Sequence, residues 1–313
     1  MRNAFVKKLE EIISKNKNIY LLTGDLGFSV FDRLKEEYPD NYINVGVSEA
    51  NMVGMAAGMA MEGKVVFIYS IIPFITYRVL EHIRNDICEQ NLPVKIVGVG
   101  EGITYGTEGP THHAIEDIGV MASLPNLVLL SPGDPIEVEK LTEQTLYLNS
   151  PVYLRLGRSG EKIVNSPDKD IKIGKGNVIR NGNDLAIIVT GNMLPVAFEA
   201  SEILFNYGLN STLVSMHTIK PLDETLLKFL GKKFKNIFII EEHISSSGLA
   251  QRISYFFMRE NINVKVYFFG FPDEFIKING KQEFLRKQYG LDSKSISDKI
   301  IKIISSGGKI NEF

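Results

Sequence analysis

Short apolar runs alternate with longer amphipathic stretches along the first half of the chain. Four runs, bounded by glycine, proline or polar residues, predict strands at 18–23, 64–69, 94–100 and 127–130. The stretches between them predict helices near 28–37, 48–62, 75–91, 113–123 and 134–148. Short apolar strands that are separated by helices are typical of a mainly parallel sheet with both faces covered.

A polar segment rich in lysine and glycine interrupts this alternation after Arg158. We predict a linker and an edge strand over residues 166–183, because the apolar patches there follow no long amphipathic period. Alternation then resumes, with strands expected at 184–190, 211–215, 236–240 and 264–269 and helices at 194–207, after Pro221 and at 247–259. The chain is therefore predicted to form two doubly wound α/β domains with mainly parallel sheets, residues 1–165 and 184–313, with a frayed tail at 307–313.

Length and composition narrow the class of protein. The 313 residues match two domains, and 44% hydrophobic with 23% charged residues indicate a folded globular chain. A net charge of −2 gives no electrostatic case for binding nucleic acid or membrane, and no apolar run approaches the roughly 20 residues of a membrane span. The N-terminus has no apolar signal-peptide core, and the single Cys88 excludes an intramolecular disulfide or a cysteine-rich metal site. We expect a cytoplasmic protein.

The first segment with candidate chemistry is residues 44–60, NVGVSEANMVGMAAGMA. Glu49 begins a predicted helix just after a strand, where a carboxylate suits the positive end of the helix dipole. Taken alone, an exposed first-turn acid is the simpler interpretation of this residue. Gly54, Ala57 and Gly58 lie at i, i+3 and i+4, so one helix face is almost without side chains. Another backbone, from this chain or from a second subunit, can approach that face closely.

The second segment, residues 101–117, is a glycine-rich loop with two histidines. It follows the predicted strand 94–100, and α/β sheets place ligands at the carboxyl ends of their strands. The adjacent His112 and His113 match no metal-ligand spacing, so no metal site is predicted in this chain. A loop histidine with Glu108 four residues before it suits proton transfer; alternatively, it braces the loop through hydrogen bonds.

Together the two segments resemble the pyrimidine-binding domain of transketolase. The shared features are Gly-Val-x-Glu before a glycine- and alanine-rich helix and, about sixty residues later, an acid-Gly-Pro-Thr-His loop. The likeness continues through LPNL at 124–127, SPGD at 131–134, PVYLRLGR at 151–158, SMHTIKPLD at 215–223 and EEH at 241–243. Nearly the whole chain is similar to the C-terminal half of transketolase, that is, its pyrimidine-binding and C-terminal domains, with 1-deoxyxylulose-5-phosphate synthase as a related enzyme.

The resemblance implies a thiamine diphosphate site. It assigns Glu49 to catalysis and to cofactor binding, because a buried glutamic acid in that place donates a hydrogen bond to the aminopyrimidine ring and promotes activation of the thiazolium carbon. Ser70 is assigned to the same cofactor site. Phe74 and Tyr77 keep the Phe-x-x-Tyr spacing that packs against the pyrimidine, although core packing on a helix face explains them equally well.

The resemblance also implies a substrate site. His112 matches a catalytic histidine that contacts the substrate hydroxyl and carbonyl near the reacting carbon, and Arg158 matches a phosphate-binding arginine. Glu108 stands where the family usually has an aspartate that recognises a substrate hydroxyl. Gly100 occupies the place of a histidine that binds the acceptor phosphate. Because one phosphate anchor is kept and one is lost, we expect a differently shaped acceptor sugar, unphosphorylated or nucleotide-linked sugars being candidates.

One motif of full-length transketolase is missing. The family's N-terminal domain holds the diphosphate and Mg²⁺ with Gly-Asp-Gly and a later asparagine. The nearest match here, Gly24-Asp25-Leu26-Gly27, lacks the second adjacent glycine, so Asp25 is predicted to be a turn or cap residue. We therefore expect a separate N-terminal subunit to hold thiamine diphosphate and Mg²⁺, and a second copy of this chain to complete a heterotetramer.

The predicted function is that of the C-terminal, β-type subunit of a split transketolase. Such an enzyme moves a two-carbon ketol unit from a ketose donor to an aldose acceptor, so its substrates are sugars or sugar phosphates. Three alternatives remain open: the β subunit of a 2-oxo acid dehydrogenase, half of a 1-deoxyxylulose-5-phosphate-type synthase, and a non-catalytic stabilising subunit. The Gly-Pro-Thr-His loop argues against the first, and the presence of both Glu49 and His112 argues against the last.

Overall fold

The computed structural model describes residues 1–27 and 29–306 and contains two α/β units. The strands of the first unit are β1 (Ile19–Thr23), β2 (Tyr42–Asn44), β3 (Val65–Ile71), β4 (Lys95–Val99), β5 (Val128–Leu130) and β6 (Val152–Leu156). Those that follow are β7 (Asn177–Arg180), β8 (Leu185–Val189), β9 (Ser211–Ser215), β10 (Thr218–Lys220), β11 (Asn236–Ile244) and β12 (Lys265–Phe271). Both units are mixed α/β, as the sequence predicts.

The strands form two mainly parallel sheets. The larger sheet has the order β10-β5-β6-β4-β3-β1-β2, and the smaller has the order β12-β11-β8-β9-β7. All neighbours are parallel except β10 with β5 and β7 with β9, which are antiparallel pairs at the sheet edges. The central strands β4, β6 and β8 are buried along their whole length, and β8 is accordingly a continuous apolar run rather than an alternating one. β4 and β6 each contain one buried charged residue, Lys95 and Arg155, whose side chains donate hydrogen bonds to backbone oxygens or carboxylates.

Helices cover both sheets. In the first unit they are α1 (Arg2–Lys15), α2 (Asp32–Glu37), α3 (Glu49–Met61), α4 (Ile72–Ile75), α5 (Leu80–His82), α6 (Asp117–Ala122) and α7 (Pro135–Thr145). In the second they are α8 (Leu194–Asn206), α9 (Glu224–Lys233), α10 (Leu249–Arg259), α11 (Gln282–Gln288) and α12 (Ser293–Ser305). The aspartates that end the SPGD and SMHTIKPLD motifs cap helices. Asp134 caps α7 and accepts a hydrogen bond from Glu137 N at 2.9 Å, and Asp223 caps α9 and accepts one from Leu226 N at 3.1 Å.

One strand joins the two units. β10 follows β9 directly in the chain, yet it pairs with β5 at the edge of the larger sheet. The sequence did not predict β10, because its three residues carry no hydrophobic alternation of their own. The consequence is that the motif at 215–223 ties the second unit to the first.

Two predicted helices differ from the structure. The single helix predicted at 75–91 is instead the short α4, the short α5 and a wider π-helical turn at Ile83–Cys88. The helix predicted at 113–123 begins only at Asp117, because Ala114 and Gly102 exchange backbone hydrogen bonds of 2.8 and 3.1 Å and hold the preceding loop extended. The strand β6 was not predicted, and the tail at 307–313 lies outside the described residues.

Apolar side chains from sheets and helices pack into clusters on the faces of both sheets. One cluster combines residues of α3, β3 and β4 with residues of β8, β11 and α10, so the two units share a core. In the part of the chain that the structure describes, no helix is both long and apolar enough to cross a bilayer.

Candidate active site

The carboxyl ends of the parallel strands meet at one edge of the larger sheet. β1 ends at Thr23, β2 at Asn44, β3 at Ile71 and β4 at Val99, so the loops and helices that follow them are neighbours. These segments, with the loop after β6, carry most of the residues that the sequence singles out: Glu49, Ser70, Phe74, His112 and Arg158.

Glu49 is the first residue of α3, and its side chain is only 2% exposed. Its Oε1 accepts a hydrogen bond from the Ser70 hydroxyl at 3.2 Å, and its Oε2 accepts one from Arg78 Nη1 at 2.7 Å. Arg78 is half exposed, and its guanidinium lies 4.4 Å from the centroid of the Phe74 ring. The burial of Glu49 contradicts the simpler interpretation as an exposed first-turn acid.

Backbone without side chains lies beside this carboxylate. A Cβ at Gly24 would be 3.4 Å from Glu49 Oε1, and a Cβ at Gly46, where φ is +76°, would meet no atom within 4 Å. Phe74 adds a half-buried aromatic ring, over which the Arg78 guanidinium lies. A buried acid, a flat apolar ring and glycine-lined space together fit a planar heterocycle such as an aminopyrimidine.

A row of aromatic and cationic groups continues from Phe74. The centroid of the Phe74 ring lies 5.2 Å from that of the His112 ring, and the planes of the two rings are inclined at 70°. Tyr105 is 6.3 Å from His112 between ring centroids, and the Arg158 guanidinium is 5.7 Å from the Tyr105 centroid. His112 Nδ1 shares a hydrogen bond of 3.0 Å with the Thr111 hydroxyl, so Nε2 is the ring nitrogen available to a substrate.

The ring of Tyr105 packs directly against the backbone of Gly100. Gly100 has a φ of +93°, and a Cβ there would come within 2.2 Å of the Tyr105 ring. Any other residue at 100 would therefore displace Tyr105 in addition to straining the backbone. The place where the resemblance expects a phosphate-binding histidine is occupied by the ring of Tyr105.

The sequence matches two families of domains along nearly its whole length. The pyrimidine-binding domain of transketolase matches residues 1–160, and the C-terminal domain of transketolase matches residues 174–296. The chain belongs to the transketolase family. Its members use thiamine diphosphate as cofactor and are transferases, and this chain corresponds to the C-terminal subunit of the split transketolases.

Relatives and a solved structure agree with this assignment. A protein of Methanocaldococcus jannaschii described as a transketolase C-terminal section is 36% identical over 96% of this chain and 95% of its own length. One subunit of the apulose-4-phosphate transketolase of Phocaeicola vulgatus is 30% identical over 97% of both chains. A structure described as a split gene transketolase, inactive beta4 tetramer, has a TM-score of 0.89 and 31% identity, with 97% and 98% of the two chains covered.

Longer relatives match as well. A 1-deoxy-D-xylulose-5-phosphate synthase of Dehalococcoides mccartyi is 32% identical over 96% of this chain. The chain spans about half of that synthase, 48% of its length. The region that corresponds to this chain therefore occurs in both kinds of enzyme, and in the synthase it is about half of a longer protein.

Two residues that the transketolase resemblance assigns to the site, Tyr77 and Glu108, form hydrogen bonds with residues other than Glu49 and His112. The Tyr77 hydroxyl donates to Glu116 Oε2 at 3.0 Å, and burial raises the pKa of Tyr77. Glu108 is exposed and accepts a hydrogen bond from the Thr107 hydroxyl at 3.0 Å, and no hydrogen bond joins it to His112. In this structure Glu108 is not in position to exchange a proton with His112.

Asp25 lies in the loop after β1 with a φ of +56°. Its Oδ1 accepts a hydrogen bond from Asn44 Nδ2 at 2.9 Å, and Asn44 Oδ1 accepts from the backbone N–H groups of Asp25 and Gly46 at 3.0 Å. Asp25 thus occupies a turn that links β1 to β2. Among the residues that the structure describes, no group of three or more His, Cys, Asp or Glu could hold a metal ion.

His113 lies on the opposite side of the loop from its neighbour. It is 3% exposed, and burial lowers its pKa, whereas His112 is only half buried against Phe74. Below this loop, the buried Arg155 donates to Glu101 Oε2 at 2.7 Å and to Asp117 Oδ2 at 2.8 Å. This ion-paired group holds both ends of the loop that carries His112.

The motif at 241–243 joins the two units. Glu241 accepts hydrogen bonds from the first two backbone N–H groups of α10, at 2.7 and 2.9 Å. His243 Nε2 accepts one from Ile118 N in α6 at 3.1 Å, and burial lowers the pKa of His243 to about 4. Glu242 accepts a hydrogen bond of 2.7 Å from Arg286 Nε of α11. The motif therefore supports the loop rather than contributing to the site itself.

The small-residue face of α3 is only partly as predicted. Gly54 and Gly58 are exposed, and a Cβ at either would meet no atom within 4 Å. Ala57, in contrast, is 4% exposed and belongs to the core. The open face of α3 also includes Met61, whose side chain is 55% exposed. An accessible glycine face leaves room for another subunit.

Two residues of the site, Arg78 and Tyr105, were not predicted from the sequence. Arg78 follows directly after the predicted Phe-x-x-Tyr pair, so its place was recognisable, but its contact with Glu49 depends on the break between α4 and α5. Tyr105 is one aromatic residue in a glycine-rich loop. The signal that could have identified it is Gly100, because a glycine in place of a larger residue indicates that something else fills the space.

Proposed function

We propose that this chain, together with an N-terminal transketolase subunit, catalyses transfer of a two-carbon ketol unit from a ketose to an aldose. The observation that carries the proposal is the buried Glu49 at the start of α3, with Phe74 beside it and His112 beyond. The full-length match to split subunits supports a separately supplied diphosphate domain. That partner would hold Mg²⁺ and the diphosphate, and two copies of each subunit would form a heterotetramer in the cytoplasm, where the free Cys88 stays reduced.

In this proposal Glu49 and Phe74 bind the aminopyrimidine ring. Bound thiamine diphosphate would supply a nucleophilic carbon and an electron sink for breaking the donor's carbon–carbon bond. Glu49 would hold a proton against a ring nitrogen, and the Ser70 hydroxyl would fix the orientation of its Oε1. Arg78 contacts the Oε2 atom of Glu49. Because the Arg78 side chain is half exposed, it would stay in contact with water when it moves aside for the aminopyrimidine ring.

His112 would act on the substrate. Its Nδ1 is engaged by Thr111, so Nε2 would donate a hydrogen bond to the substrate oxygen on which charge develops. Arg158, exposed at the other end of the row, would attract the anionic or polar end of the sugar. Glu108 is exposed, and it would bind a hydroxyl of the substrate once the substrate is present.

The isolated chain should not bind the cofactor tightly. Titration of thiamine diphosphate with Mg²⁺ into the chain alone should give no saturable heat at micromolar concentrations, because the residues that the family uses for the diphosphate and metal are missing. The same titration into a mixture with a transketolase N-terminal subunit is the control, and it should give saturable binding. Micromolar binding by the chain alone would contradict the split arrangement.

Tyr105 should determine the specificity of the enzyme for its acceptor sugar. We expect Tyr105→Ala to open the space above Gly100, raising KM for the native acceptor and improving the use of bulkier aldoses, with donor cleavage changed less than about threefold. Tyr105→Phe keeps the ring that fills this space and is the matched control. Steady-state kinetics with a panel of aldoses tests the prediction. An unchanged acceptor profile for Tyr105→Ala would exclude Tyr105 from acceptor recognition.

The similarity to 1-deoxyxylulose-5-phosphate synthases supports a second candidate function. The two activities differ in their donors, since the synthase decarboxylates pyruvate whereas a transketolase cleaves a ketose. Release of labelled carbon dioxide from carboxyl-labelled pyruvate by the reconstituted enzyme would identify a synthase. Consumption of ketose without carbon dioxide release would identify a transketolase.

A further inference from the structure

We propose that a cavity between β10, α9 and α10 binds the phosphate group of a small phosphorylated metabolite through Lys220 and Arg252. The cavity has a volume of about 540 Å³, and its lining includes Pro221, Tyr255 and Arg259 as well as the two proposed ligands. The lining of this cavity contains no residue of the candidate active site, neither Glu49 nor the row from Phe74 to Arg158. The proposal therefore does not depend on the proposed function.

The two cations lack acidic partners. Lys220 Nζ donates to the backbone oxygens of Ala122 and Leu124, and Arg252 Nε donates a long hydrogen bond of 3.4 Å to Ile219 O. In the described part of the chain, neither side chain has a carboxylate within 4 Å. Arg259, on the same cavity, is different, because it pairs with Glu224 at 2.7 Å. Lys220 and Arg252 are the charges that remain without compensation.

Burial makes this arrangement unfavourable without an anion. Both side chains are half buried, and burial lowers the pKa of Lys220 and of Arg252. The positive charge of Arg252 lowers the pKa of Lys220 further. The nearby Cys88 thiol does not supply a counter-charge, since burial raises its pKa to about 11. A phosphate between the two cations would remove their repulsion and supply the missing hydrogen-bond acceptors.

The cavity is larger than a phosphate ion requires. Its volume falls within the range of small-molecule sites, roughly 300–1,000 Å³. The Tyr255 side chain at its rim is 62% exposed, and the apolar surfaces of Pro221 and Leu222 line its wall. An exposed aromatic face beside paired cations suits an organic phosphate with a flat or apolar body.

The test is calorimetric titration of the purified full chain with inorganic phosphate and adenosine 5′-monophosphate, with adenosine as the uncharged comparison. We expect both phosphates to bind, adenosine 5′-monophosphate more tightly, and adenosine not to bind. Arg252→Gln should weaken phosphate binding at least about tenfold, because it removes a charge-assisted hydrogen bond. Arg252→Lys, which keeps the charge, should recover part of this loss.

Two matched variants locate the site. Lys228→Gln removes a cation of α9 that pairs with Glu260 and does not line the cavity, and it should change affinity less than about threefold. Arg158→Gln removes the exposed arginine of the candidate active site and should leave affinity unchanged. Absence of phosphate binding at millimolar concentrations would overturn the proposal. Binding that is lost in Arg158→Gln but retained in Arg252→Gln would overturn it as well.

Discussion

Glu49→Gln should lower the turnover of the assembled enzyme by about 100-fold or more while leaving assembly intact. A glutamine keeps the shape of the side chain and can still contact Ser70, but its amide cannot give up and take back a proton. General acid–base catalysis typically contributes ~10²–10⁴-fold to rate. Steady-state turnover, together with the molar mass of the complex in solution, measures both parts of the expectation.

The control is Glu62→Gln at the other end of α3. Glu62 is exposed and follows the last residue of the helix, so the same change of charge there should leave turnover within about threefold. If Glu49→Gln kept more than about a tenth of wild-type turnover in a correctly assembled complex, proton transfer by Glu49 would not be part of the mechanism.

His112→Ala should cut turnover and spare cofactor affinity. The proposed hydrogen bond from Nε2 acts on an oxygen whose charge grows during the reaction, and the loss of such a donor is worth roughly 2–4 kcal/mol. Cofactor affinity should stay nearly the same, because His112 contacts Phe74 and Thr111 rather than Glu49. Turnover and calorimetric cofactor affinity, measured on the same reconstituted preparation, test this.

His113→Ala is the matched comparison. Its ring is buried, so the substitution leaves a cavity and should lower the thermal midpoint of the chain with little change in turnover per folded enzyme. If His113→Ala were the variant with impaired turnover, the match to the Gly-Pro-Thr-His motif would be shifted by one residue. Loss of cofactor affinity in His112→Ala would mean that this ring contacts the cofactor rather than the substrate.

The fold was largely predictable from the sequence, because the hydrophobic pattern follows burial. A strand such as β8, buried along its whole length, is a continuous apolar run, and its pattern does not depend on distant residues. The predicted elements are wrong or missing where pairing between residues far apart in the sequence determines the structure. β10 exists because β5 offers it an edge, and α6 begins late because Ala114 pairs with Gly102.

The site was predictable only in part. Glu49, Ser70 and His112 were assigned through motifs, and the structure brings Glu49 and Ser70 into contact across 21 residues of sequence. The contact of Arg78 with Glu49 and the filling of the space at Gly100 by Tyr105 arise from side-chain packing after the loops have formed. Neither contact leaves a periodic signal in the sequence. The same holds for the uncompensated cations Lys220 and Arg252, which lie about thirty residues apart in the sequence.

The central claim is that this chain supplies the acid that activates thiamine diphosphate held by a partner. The most direct test is the rate of hydrogen–deuterium exchange at the thiazolium C2 position, followed by NMR, which does not depend on knowing the sugars. We expect the wild-type chain, added to an N-terminal subunit with thiamine diphosphate and Mg²⁺, to accelerate exchange by about 100-fold or more over the partner alone, and Glu49→Gln not to do so. Equal exchange rates with and without the wild-type chain in an assembled complex would contradict the claim.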